Sequence, residues 1–224
     1  RCSDTSGRDA LVKTTYADVK DKLQTGDILL FRYSNHSSKA AQMIYFCRTR
    51  LVGSDYGHVA MVLREKGVLY AIEGVDVGHT AEDEGVYFNS RGKGGVRIIN
   101  LETLLERYHT DYGGLFAVRH TKRLISNKIL MQTVLRYRDQ VFEDRKYLGS
   151  MLVMDYISHG LANTLAVMNR TDKIFCSEFI YRVLYDCELI EDYNPKLFWP
   201  ALFTRPIFDR LTGRAWSSVV EFKL

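Results

Sequence analysis

Apolar and polar positions are patterned most tightly between Tyr56 and Gly74, in the stretch YGHVAMVLREKGVLYAIEG. The pattern predicts two strands, Gly57–Leu63 and Val68–Glu73, joined by a polar loop Arg64-Glu65-Lys66-Gly67. Nearly every strand position is apolar, as expected for a sheet covered on both faces. Two polar residues interrupt the run, His58 near its start and Glu73 at its end. With Leu63 paired to Val68, His58 falls directly opposite Glu73, and opposed residues share a face with Cβ atoms about 4.5–5.5 Å apart. A carboxylate that near can orient an imidazole. The plainer alternative is a satisfied His–Glu pair closing a sheet edge.

The remaining periodicity alternates helices and strands. Residues 1–15 are polar and read as a loose leader; Tyr16 to Leu23 reads as a helix stopped at Thr25-Gly26, where glycine suits a left-handed cap. Ile28–Phe31 has the length and composition of a buried strand, and Lys39–Arg48 reads as a helix with Ala40, Met43, Ile44 and Cys47 on one face. A glycine-rich surface loop covers 75–95. It is followed by a strand Val96–Leu101, a helix Leu101–Tyr108, and a strand Gly114–His120. Arg91-Gly92-Lys93-Gly94-Gly95 lacks the spacing of a phosphate loop and reads as a turn. Ser126 or Asn127 opens a helix to Phe142, and 147–165 is apolar and partly helical.

Composition narrows the function classes. The 224 residues suit one domain, and 46% hydrophobic content supplies a sizeable core. The net charge of +4 is scattered, so no nucleic acid is expected; an anionic lipid surface or an acidic substrate fits at least as well. No run approaches the roughly 18 apolar residues of a membrane span. The chain opens on Arg1 rather than Met, so a removed signal or anchor is allowed for and localisation is left unknown. The four cysteines, Cys2, Cys47, Cys176 and Cys187, show no zinc spacing. His36, His79, His109, His120 and His159 are scattered likewise, and neither a metal nor a cofactor is expected. Cys176 and Cys187 lie about three helical turns apart, too far to bridge.

The nucleophile candidate is Cys176. Phe175, Phe179, Ile180, Val183, Leu184 and Cys187 form one helical stripe, with Thr171-Asp172 upstream as a candidate cap. Cys176 then sits in the first turn, where unpaired N–H groups and the helix dipole favour an anion and activate a thiol. An inert core cysteine is the plainer alternative. Glu178 is read as serving the first turn of this helix rather than the thiol. All three prolines, Pro195, Pro200 and Pro206, fall in a C-terminal segment that either wraps the core or walls an apolar groove through Phe198, Trp199 and Phe203.

Four motifs in order, Gly26-Asp27-Ile28-Leu29, Tyr56-Gly57-His58-Val59-Ala60-Met61-Val62, Ala71-Ile72-Glu73 and Phe175-Cys176-Ser177-Glu178-Phe179, resemble the circularly permuted branch of the NlpC/P60 superfamily. Within it they are most similar to the group of YiiX/YaeF-like bacterial proteins and a poxviral relative. The resemblance runs from about Gly26 to Pro206. It implies an α+β, circularly permuted papain-like fold: a single domain over 1–224, an antiparallel sheet or small barrel packed on helices, and a helical insertion over 126–165 ahead of the cysteine helix. Carried over, Cys176 is the nucleophile, His58 the general base and acid, and Glu73 the orienter. The backbone N–H of Cys176 and the hydroxyl of Tyr56 are candidate oxyanion donors. The implied activity is hydrolysis of an amide or ester through a thioester, on a peptide, isopeptide or lipid-linked substrate with contact to a membrane surface. Acyl transfer or phospholipase action on the same triad, or a silent binding module, are the alternatives.

Overall fold

The computed structural model describes residues 12–32, 56–75, 85–87, 94–142 and 173–224. Its frame is a seven-stranded antiparallel sheet. In chain order the strands are β1 (Ile28–Arg32), β2 (Tyr56–Glu65), β3 (Val68–Val75), β4 (Gly85–Tyr87), β5 (Gly95–Asn100) and β6 (Phe116–Arg119). A parallel pair β7 (Val141–Phe142) and β8 (Lys173–Ile174) stands apart, and β9 (Val220–Phe222) completes the main sheet in the order β4-β5-β3-β2-β1-β6-β9. The chain is thus α+β with an open sheet. The helices expected at Lys39–Arg48 and within 147–165 lie outside the described residues.

Alternation along β2 divides the core. Val59, Met61 and Leu63 join Ile72 and Ile98 in one cluster, while Ala60 and Val62 join Leu29, Phe31, Ala71 and Ile99 in another. Helix α1 is Tyr16–Lys20, shorter than expected. Helix α2 (Leu101–Tyr112) covers the second cluster with Leu104, Leu105 and Tyr108. It starts where the Asn100 side chain accepts from the N–H groups of Glu102 and Thr103, at 3.0 and 3.2 Å. It runs past the expected Tyr108 because Gly113, with φ 57°, is the residue that supplies the left-handed cap.

Helix α3 (Asn127–Leu135) stops well short of Phe142. The pairing of Val141 and Phe142 with Lys173 and Ile174 takes those two residues out of the helix. The first cluster is covered by helix α4 (Cys176–Asp186) through Phe179, Ile180, Val183 and Leu184. The C-terminal segment closes round it in two 3₁₀ turns, Pro195–Leu197 and Pro200–Thr204, and helix α5 (Pro206–Leu211). Each of the three begins on a proline, whose fixed φ and missing N–H suit a first turn. Phe198, Phe203, Phe208 and Trp216 form a continuous aromatic chain with ring separations of 5.0, 5.2 and 5.4 Å. Arg119 fastens this segment to β6, donating to the carbonyls of Ser217 and Phe203 and pairing with Asp209.

The hairpin differs from the expected one by two residues. Glu65 pairs with Val68, so the turn is Lys66-Gly67 alone, with φ of 50° and 82°. Both central residues at positive φ define the hairpin turn whose twist matches its strands. Glu73 therefore falls opposite Ala60 in register, and His58 becomes its diagonal neighbour. A shift of two keeps every side chain on its face, where a shift of one would have sent Glu73 to the other side.

The Gly26-Asp27 motif is a structural knot. Asp27 is fully buried, and its carboxylate accepts from Gln24 N–H (3.0 Å) and Thr121 N–H (2.8 Å) while bonding His120 Nδ1 at 2.8 Å. Gly26 has φ 94°, and a Cβ there would lie 2.2 Å from Ile125 Cδ1. Its positive φ serves the entry to β1, not the end of α1. Gly67 also has positive φ but open space around it. Gly26→Ala should accordingly cost more than Gly67→Ala in urea unfolding, by roughly 1 kcal/mol or less, since strain is common to both and the Ile125 side chain must move aside for one alone. Equal costs would count against the close approach at Ile125.

Candidate active site

One end of the sheet gathers the polar residues that interrupt its apolar strands. His58 lies near the start of β2, Glu73 near the end of β3 and Arg97 near the start of β5; Arg97 is the direct register partner of Glu73. Glu73 bonds through both oxygens. His58 Nε2 meets its Oε2, and Arg97 Nε–H donates to its Oε1. Glu73 and Arg97 have no solvent exposure at all. His58 is fixed by packing as well: its ring stacks on Tyr108 at 5.7 Å and 13°, with Phe31 at 5.3 Å. The register between β1 and β2 steps from Phe31↔His58 to Arg32↔Tyr56, leaving Gly57 as the extra residue of a bulge. Bulges re-aim side chains at strand ends, and this one lies beside His58.

Cys176 comes to the same end from the other layer. It is the first residue of α4, whose N-cap is Phe175 and not the expected Thr171 or Asp172, which lie outside the described residues. The N-cap side chain makes no capping bond, so the first-turn N–H groups keep their partial positive charge for whatever anion stands there. Cys176 is 8% exposed and lies close enough to His58 to raise the pKa of its ring. Since Nε2 is engaged by Glu73, Nδ1 is the ring nitrogen left for the thiol.

Burial by itself would lower the His58 pKa. Cys176 and Glu73 outweigh it and raise the value from 6.5 to about 10. Burial pushes Glu73 upward, but Arg97 and then His58 bring it down from 4.5 to about 2. The ring is thus held as imidazolium between two groups that favour its charge. Glu178, in the first turn of α4, is also fully buried, and its charge is met by Arg182 at 2.7 Å and Lys196 at 3.0 Å.

The other expected site residues lie elsewhere. The Tyr56 hydroxyl donates to Glu221 on β9 at 2.7 Å. Phe198 and Phe203 are buried in the aromatic chain that packs on the core. Trp199 stacks on Phe175 at 5.3 Å, beside the start of α4. His109 is exposed and His120 serves Asp27; His36, His79, His159, Cys2 and Cys47 lie outside the described residues. Cys187 stands 3.6 Å from Thr133 Oγ1. Among the described residues no three His, Cys, Asp or Glu side chains gather as metal ligands would. The residue that sequence reasoning misses is Arg97. Its signal is a lone arginine within the apolar strand Val96–Ile99.

No family model matches the chain. Among solved structures, the metalloprotein YiiX from Escherichia coli O157:H7, DUF1105, is similar with a TM-score of 0.40 and 19% identity, covering 73% of this chain and 66% of that one. Uncharacterized protein R372 of Acanthamoeba polyphaga mimivirus is 36% identical over 211 residues, which span 92% of this chain and 84% of that protein. At that identity and coverage, the chain belongs to the same family as the mimivirus protein R372.

Proposed function

We propose that this chain is a thiol hydrolase of circularly permuted papain-like type, cleaving an amide or ester bond through a thioester on Cys176. The observation that carries the reading is His58, which has Cys176 as one neighbour and the buried Glu73 as the other. The order of parts fits a permuted chain, with base and orienter on the first hairpin and the nucleophile on a later helix.

The chemistry follows from the geometry. His58 holds the proton of Cys176, and the thiolate attacks the carbonyl carbon of the substrate. The carbonyl oxygen takes the negative charge and is met by the Cys176 N–H at the start of α4. The imidazolium gives its proton to the departing amine or alcohol. Water then attacks the thioester as His58 accepts its proton, the acid leaves, and Cys176 and His58 return to their starting state. Glu73 keeps the proton on Nε2 and the ring in place throughout, the role of a third triad member. The substrate class this reading admits is a peptide, isopeptide or lipid-linked carbonyl.

Labelling with iodoacetamide, read at Cys176 by peptide mass spectrometry, tests the activated thiol. His58→Ala should slow labelling of Cys176 roughly tenfold or more near neutral pH, the gap between a thiolate and a largely protonated thiol, and leave Cys187 unchanged. Equal and slow labelling of Cys176 in both proteins would sink the reading.

The charge state of the ring gives a second measurement. Because the His58 pKa is raised from 6.5 to about 10, its imidazolium should persist through the neutral range. In an NMR titration the His58 ring signals should show no midpoint between pH 6 and 8, and any hydrolytic rate should lose its alkaline limb only as pH climbs toward 10. A midpoint near 6.5 would mean that neither Cys176 nor Glu73 holds the proton.

A further inference from the structure

Glu73 is where the chain departs from a simple triad. Its two oxygens are each taken by a cation, His58 on one side and Arg97 on the other, and it has no access to water. A buried carboxylate must either be neutralised by partners or take up a proton. Which partner carries that duty decides what charge is left for the thiol.

We propose that Arg97 is a positioning residue of the thiol–imidazole pair, which it serves through Glu73. By supplying a permanent cation to one oxygen of that carboxylate, it leaves the charge of His58 available to the Cys176 thiolate. The inference rests on the thiol-hydrolase reading and adds a fourth residue to it. The geometry is direct. Arg97 is the register partner of Glu73 on the neighbouring strand, so strand pairing itself delivers the guanidinium to the carboxylate. Its Nε–H reaches Oε1, the oxygen that His58 does not use, so the two cations do not compete for one acceptor. Arginine stays protonated at any working pH, whereas burial readily strips a lysine of its charge.

The charges explain why this matters. With Arg97 present, Glu73 is satisfied as a carboxylate, and an imidazolium at His58 can face a thiolate at Cys176. Without Arg97, the cation still bonded to Glu73 among the described residues is the imidazolium. Thiolate, imidazolium and carboxylate then make two buried anions for one cation, and a proton is taken up. The thiolate is the group that loses, because a thiol holds a proton far more readily than a carboxylate does and Glu73 still bonds the ring directly. The charge and hydrogen bond of His58 also hold Glu73 ionised, so the carboxylate keeps a stabilising partner when Arg97 is removed.

The test is alkylation of Cys176 by iodoacetamide near neutral pH in four proteins: wild type, Arg97→Lys, Arg97→Met, and Arg97→Met combined with Glu73→Gln. Circular dichroism and thermal melting check that each is folded. Arg97→Met should slow alkylation by roughly tenfold or more, as when a thiol's titration moves one unit upward. Arg97→Lys should keep more of the rate than Arg97→Met. The double variant should alkylate faster than Arg97→Met, because removing the carboxylate's charge restores the balance while the amide introduced by Glu73→Gln still offers the ring an acceptor. A role in packing alone predicts no such recovery on removing a second buried group. If the double variant is no faster than Arg97→Met, or if folded Arg97→Met alkylates as wild type does, the inference fails. Should Arg97→Met not fold, the double variant, which leaves no carboxylate charge at this position, decides against Glu73→Gln alone: the two should alkylate alike, and a much slower double variant overturns the proposal. Failure of the hydrolase reading looks different, since His58→Ala would then leave the Cys176 rate unchanged.

Discussion

A fully buried carboxylate sets the terms for this end of the molecule. Removing Glu73 from water costs several kcal/mol, and that cost is met only by good geometry to partners that stay charged. One partner comes from each neighbouring strand of the sheet, so β3 has to lie between β2 and β5. Sheet order and site chemistry are the same constraint here. A different neighbour for β3 would leave an unpaired buried charge.

The two helical layers then divide the labour. Tyr108 of α2 and Phe31 of β1 confine the His58 ring from the layer containing the second cluster. From the opposite layer α4 presents Cys176 on its first turn, seated by Phe179, Ile180, Val183 and Leu184. The pair meets at the rim between them. A second His–acid pair, His120 with Asp27, shows by contrast what a structural one looks like. The Asp27 carboxylate is occupied by two backbone N–H groups as well as the ring, and it ties the entry of β1 to the exit of β6. Glu73 is met instead by two side chains that carry charge.

Much of this is legible in the sequence, and what is not has physical causes. The two-sided apolar hairpin announces a central strand pair, and its two polar residues do come together. The expected register is off by two because Lys66 at positive φ is not a turn signal that composition carries. The shift is harmless to the pairing because it is even. Helix α3 is shorter than its stripe suggests, since an apolar stripe does not reveal that Val141 and Phe142 have a strand partner. Proximity in sequence and aromatic composition single out Tyr56, Phe198 and Phe203, and neither says where a side chain's own partner lies. Tyr56 has Glu221, over a hundred residues on in the chain. Arg97 is visible as a letter and not as a role, because its meaning depends on β3 pairing with β5, which does not follow it directly in the chain.

The spacing of the bonded groups along the chain has a consequence for assembly. His58, Glu73 and Arg97 are joined by contacts fifteen and twenty-four residues apart, short enough to close early as the chain collapses. Cys176 belongs to a helix more than a hundred residues beyond His58, whose seat includes the C-terminal aromatic chain. The His58–Glu73–Arg97 cluster can therefore exist before Cys176 reaches it. Until the last third of the chain has docked, Cys176 stands apart from His58, so the two come together only with completion of the fold.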